Sequence, residues 1–114
     1  MNIQIIKEPI SKSALSEIAK SQFGNLVKAV VDVDKGIMVI GGNLHSDEEV
    51  ILLDSGSKQD HLWGINLYTE ASGEEFIEFD SMINVRPSSG NRSRGVESED
   101  IQEKIKMIVS KLVL

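Results

Sequence analysis

Three arginines, Arg86, Arg92 and Arg94, fall within the short segment Asn84 to Gly95, and the chain has no others. Every other fixed cation is a lysine. A guanidinium presents a rigid fork that grips carboxylate or phosphate through two parallel hydrogen bonds. Ser88, Ser89, Asn91 and Ser93 add neutral donors to the same segment, and Gly90 and Gly95 let backbone N–H groups approach a ligand closely. That chemistry suits an oxyanion. The candidate ligand-binding residues are therefore Arg86, Ser89, Asn91, Arg92, Ser93 and Arg94, with Asn84 and Asn66 beside them. Acidic neighbours supply a competing reading. Glu97, Glu99 and Asp100 follow the segment and Glu78 and Asp80 precede it, so the arginines could instead pair within the chain or with a sister subunit. Gly, Ser, Asn and Pro are also ordinary turn residues. Neither GxxxxGK[ST] nor a GxGxxG after the first strand is present.

Acid–base chemistry has two candidates, Asp80 and His61. Asp80 falls on a polar strand face where Asn66 could neighbour Asp80, Asn84 or Arg86, depending on register. Such a face is ordinarily the wet side of an antiparallel sheet; if it were covered, its carboxylates and amides would need partners and could line a pocket. The two histidines, His45 and His61, could be joined by Asp47, Glu48 or Asp60, yet their separation fits neither HxxxH nor HExxH. No metal site and no cofactor is assigned.

The elements that must position these residues follow from patterning. Ile3, Ile5 and Ile6 begin a strand, and Pro9 ends it. Ser11 caps a helix with Leu15, Ile18, Ala19 and Phe23 at helical spacing, stopped by Gly24. Val27, Ala29, Val31 and Val33 alternate up to the turn Asp34-Lys35-Gly36, which returns into Ile37 to Ile40 as a hairpin. Ser46 and Glu49 have capping-box spacing ahead of Val50 to Leu53, with Gly56 as the stop. Leu62 to Tyr68 and a long arm from Phe76 to Arg86 make a second hairpin. In that arm Ile77, Phe79, Ile83 and Val85 take one face, opposite Glu78, Asp80, Asn84 and Arg86. Ser98 caps a last helix whose stripe is Ile101, Ile105, Ile108, Val109 and Leu112. The predicted fold is α+β, a single domain over 1–114 in the order β-α-β-β-α-β-β-α. Its mixed, mainly antiparallel sheet has about five strands, with helices mainly on one face. The first strand is expected to pair parallel with a later one across the first helix.

Composition narrows the partners. With 114 residues, 40% apolar and 26% charged, the chain can bury one core and not two. Its net charge of −6 repels phosphate backbones and anionic membrane surfaces, so any anion site must be local. The aromatics Trp63, Tyr68, Phe76 and Phe79 suit packing across the second hairpin, and no lysine lies between Trp63 and Phe79 to make a base-stacking platform. Absence of cysteine rules out disulfides and thiolate chemistry and suits a reducing compartment. The start MNIQIIKEPI lacks the basic and apolar regions of a signal peptide, and the apolar runs are far short of the ~20 residues that span a bilayer. A cytoplasmic protein is expected. Edge strands and the apolar Val113 and Leu114 offer a surface for a homodimer.

Four strings, Phe23 to Met38 (FGNLVKAVVDVDKGIM), Leu62 to Tyr68 (LWGINLY), Phe76 to Pro87 (FIEFDSMINVRP) and Gly90 to Val96 (GNRSRGV), resemble a family of small prokaryotic proteins of unknown function. The likeness runs over nearly the whole chain. It implies a prokaryotic cytosolic protein and carries over no activity and no catalytic residue. Two functional expectations remain: a binding module or enzyme for a small phosphorylated or carboxylated ligand, or a non-catalytic interaction or assembly domain.

Overall fold

The computed structural model describes residues 3–114; Met1 and Asn2 lie outside the described residues. The order is β1 (Gln4–Ile6), α1 (Lys12–Ser21), β2 (Leu26–Asp32), β3 (Ile37–Ile40), α2 (His45–Asp54), β4 (Leu62–Tyr68), β5 (Ile77–Glu78) and α3 (Glu99–Leu112). The five strands form one sheet in the order β1-β3-β2-β4-β5, and every ladder is antiparallel. The fold is α+β.

Local chemistry sets the first half. Ser11 accepts from the Ala14 N–H at 3.1 Å, and the Gly24 N–H closes α1 on the Ala19 carbonyl with Gly24 at φ +93. Asp32 Oδ1 accepts from both the Asp34 and Lys35 N–H groups, fixing the β2–β3 turn and the register Val31↔Met38. The expected parallel pairing of the first strand does not form. β1 and β2 do run in the same direction on either side of α1, but β3 inserts between them, so the α1 crossover spans a strand instead of joining neighbours.

The second hairpin is also shorter than its pattern suggests. Only Asn66↔Glu78 and Leu67↔Ile77 pair, after which the chain leaves the sheet and makes a 3-10 turn at Met82–Asn84. The alternation from Ile83 to Arg86 is therefore not a strand face. The Asn84 side chain stands in for the missing ladder: its Oδ1 accepts from Gly64 N and its Nδ2 donates to Gly64 O, at 2.8 and 3.0 Å. Ser81 is pressed so close to Gly64 that a Cβ there would lie 2.5 Å from the serine Cβ.

Burial divides the sheet into two faces. Val27, Ala29, Val31, Met38, Ile40, Trp63, Ile65 and Leu67 pack with Leu15, Ile18 and Ala19 of α1 and Ile105, Val109 and Leu112 of α3. On the reverse face α2 covers Val30, Val39 and Leu62 through Leu52. Helix α2 thus roofs part of the face on which Asn66 lies, while Glu78 at its edge stays exposed. Among the described residues no helix is long and apolar enough to cross a membrane.

Candidate functional site

Helix α2 turns its polar residues inward. His45 and Glu48, one turn apart, are buried with Leu52, whereas Val50 is 52% exposed and Leu53 37%. Burying polar side chains while apolar ones stay wet runs against the usual driving force and marks a site more than a core. The expected capping box does not form: the helix starts at His45, its N-cap is Leu44, and no side chain caps it. Ser46 lies inside the first turn, and the helix opens with uncapped N–H groups.

The strand face beneath this turn carries Lys28, Asn66 and Glu78, which face one another across β2, β4 and β5. A cleft of about 210 Å³ opens there, walled by Lys28, His45, Ser46, Asn66, Asp80 and Arg94, with exposed Leu44 and Met82 at its mouth. The Arg94 Nε holds Asp80 Oδ1 at 2.6 Å, and both side chains remain about half exposed.

Two acceptor atoms are fixed by their surroundings. His45 Nε2 meets the Ile65 carbonyl at 2.8 Å, and a carbonyl can only accept, so Nε2 carries the hydrogen and Nδ1 is bare in the neutral ring. Burial lowers the His45 pKa, with the Lys28 charge adding to it, against the opposing pull of the Ile65 carbonyl, Asp80 and Asn66. Asn66 Nδ2 donates to Glu78 Oε1 at 2.9 Å and to the Asp80 carbonyl at 3.4 Å. Its Oδ1 therefore points away from them and lies beside the His45 ring, buried and, among the described residues, without a donor while that ring is neutral. Glu48 lies deeper. Its Oε2 accepts from Gly42 N at 2.9 Å, its Oε1 has no partner among the described residues, and burial pushes its pKa up to about 9 despite Gly42 and Lys28. A Cβ on Gly42 would lie 2.7 Å from Glu48 Cγ, so the glycine makes room for this acid.

The three arginines do not act together. Arg86 stacks on Trp63, 4.3 Å from the ring centroid, and donates to the Ile83, Gln59 and Leu62 carbonyls. Arg94 serves the cleft, and the Arg92 side chain is exposed. The Arg92 and Ser93 N–H groups do form an oxyanion cradle, but its occupant is Glu97, whose Oε2 accepts from them at 2.7 and 2.8 Å. These bonds hold the Glu97 pKa below the ordinary value. Asn91 is structural: it donates to the Asn84, Ser93 and Gly95 carbonyls and accepts from Glu97 N. Ser93 Oγ accepts from Gly95 N, and Ser89 lines a separate cleft beside Trp63 and Arg86.

Of the acid–base candidates, Asp80 borders the cleft and His61 does not. His61 lies roughly 17 Å from Asn66 along β4 at ~3.4 Å per residue, with its Nδ1 4.0 Å from Asp34 Oδ2. Asp32, Asp34 and His61 cluster, but both Asp32 oxygens are already committed, to the turn N–H groups and to Ser57 Oγ at 2.6 Å. His45 and Lys28 are cleft residues that patterning did not single out as ligand-binding; the reversed polarity of α2, which also buries Glu48 behind the cleft, is the signal that points to His45. A separate groove of about 460 Å³ runs along α3, floored by Phe76, Ile77, Val109 and Val113 and edged by Lys12 and Lys106.

A family model described as a protein of unknown function, DUF5674, matches residues 4–112, and the chain belongs to that family. No curated protein and no solved structure matches the chain.

Proposed function

We propose that the protein binds a small oxyanion-bearing molecule in the cleft at the start of α2, with Lys28 and Arg94 holding the anion and His45 as the acid–base group. The observation that carries this reading is Asn66 Oδ1, a buried acceptor at the cleft wall with no hydrogen bond among the described residues, whereas the nearby Asn84 and Asn91 use both amide atoms. Leaving such an atom unpaired costs about 1–3 kcal/mol, which a ligand donor would recover. Uncapped N–H groups at the α2 start and two cations supply the positive potential in a chain of net charge −6. In this reading Asn66 and Arg94 remain ligand-binding residues, the acid–base role passes from Asp80 and His61 to His45, and the setting is cytoplasmic. The test is thermal unfolding at fixed ionic strength against phosphate, pyrophosphate and small carboxylates. A ligand at ~100 times its Kd should stabilise wild type by about 2.7 kcal/mol and leave Lys28→Ala and Arg94→Ala unmoved. Absence of any shift in wild type sinks the reading.

A second reading has its own support. The short Arg94–Asp80 pair and the fully engaged Arg86 suit a non-catalytic assembly domain, including a homodimer. It predicts that Arg94→Ala lowers stability or dissociates an oligomer, seen by sedimentation, with no ligand effect in either protein.

A further inference from the structure

We infer that the ligand of this cleft is a small 2-hydroxycarboxylate, an anionic group with a hydroxyl donor beside it; the inference rests on the anion-cleft reading and specifies its chemistry. The cleft offers two kinds of polar group. Lys28 and Arg94 are donors that take the carboxylate. Asn66 Oδ1 and the neutral His45 ring are acceptors whose orientation is fixed by the bonds on their other atoms. A plain carboxylate, or a phosphate monoester as its dianion, has only acceptors and would leave Asn66 Oδ1 as it is; hydrogenphosphate, which keeps a P–OH, is the rival that the test must separate. A ligand that also donates fills it, and a site built to receive a hydroxyl discriminates strongly against the analogue lacking one.

An amine could donate as well, but the cleft disfavours it. The one carboxylate on its wall among the described residues, Asp80, is held by Arg94, and an ammonium would enter beside Lys28. Size fits the same class. A cleft of about 210 Å³ has room for a three- or four-carbon acid. The exposed Leu44 and Met82 flank the mouth, where the carbon backbone of such an acid would rest.

Matched pairs differing by one hydroxyl provide the test. Titration calorimetry of wild type with malate and succinate, and with lactate and propanoate, should give at least tenfold tighter binding for the hydroxy member of each pair. Aspartate should bind more weakly than malate. In Asn66→Leu the preference within each pair should fall to near unity while the weaker carboxylate binding persists. Should that variant fail to fold, the wild-type ratios decide alone. Equal affinities within both pairs, or tighter binding of aspartate than malate, would overturn the inference and leave the anion cleft standing. Stabilisation by phosphate without binding of any of the four acids would do the same. If neither phosphate, pyrophosphate nor any acid binds, the anion reading falls with it.

Discussion

Arg86 and Arg92 are six positions apart in one loop, and their surroundings make them opposites. Arg86 donates to three carbonyls and covers the Trp63 ring, so it ties the loop to β4 and to the turn before it. Hydrogen bonds from a charged donor contribute about 1.5–3 kcal/mol and an exposed cation–π contact about 0.5–1 kcal/mol. Arg86→Ala should therefore cost about 2–4 kcal/mol, and Arg92→Ala, at an exposed side chain, should stay within about 0.5 kcal/mol. Urea midpoints of the two variants check this; similar values would mean the loop is not anchored where the contacts place it. At this scale the sequence was only half legible. Clustering picked out the loop, but residue type could not say that the Arg92 and Ser93 backbone N–H groups would hold Glu97 or that Arg86 bonds carbonyls instead of an anion. Those outcomes depend on where the chain turns, which local patterning does not encode.

Among the elements, those with strong periodicity or capping were readable: α1 and α3 with Ser11 and Ser98, the β2–β3 hairpin, and β4. The two misread ones share a cause, polar side chains acting on backbone at long range. The arm after Phe76 alternates like a strand, yet Asn84 bonds Gly64 from outside the sheet and Ser81 occupies the space where a Gly64 side chain would be. Helix α2 has no apolar stripe because its inward face carries His45 and Glu48. Gly64 is thus the contact point between β4 and the 81–84 turn. Gly64→Ala should destabilise by about 1–3 kcal/mol through overpacking against Ser81, and adding Ser81→Gly should restore part of that loss. A double-mutant cycle by denaturant unfolding measures the coupling; strict additivity would show that the two elements do not meet there.

For the whole molecule, the buried pair on α2 makes stability depend on pH in a defined window. Glu48 has a folded pKa near 9 against an ordinary value of 4.5, so between those limits the unfolded chain releases a proton that the folded chain keeps. Fewer protons on the unfolded state mean that stability falls as pH rises, by up to about 1.4 kcal/mol per unit. His45 acts oppositely: its folded pKa lies below 6.5, so its contribution is lost as pH falls below that value. The two trends oppose each other below pH 6.5, and above it only Glu48 remains, since Tyr68 is shifted upward from 10. Wild type should therefore lose thermal stability steadily from pH 6.5 to about 9. Glu48→Gln keeps the acceptor for Gly42 N and removes the ionisation, so its Tm should be nearly flat over the same range and exceed that of wild type at pH 9. Parallel pH curves for the two proteins would show that Glu48 ionises as freely in the fold as outside it, and the acid beneath the cleft would then be a charge paired with Lys28 instead of a stored proton.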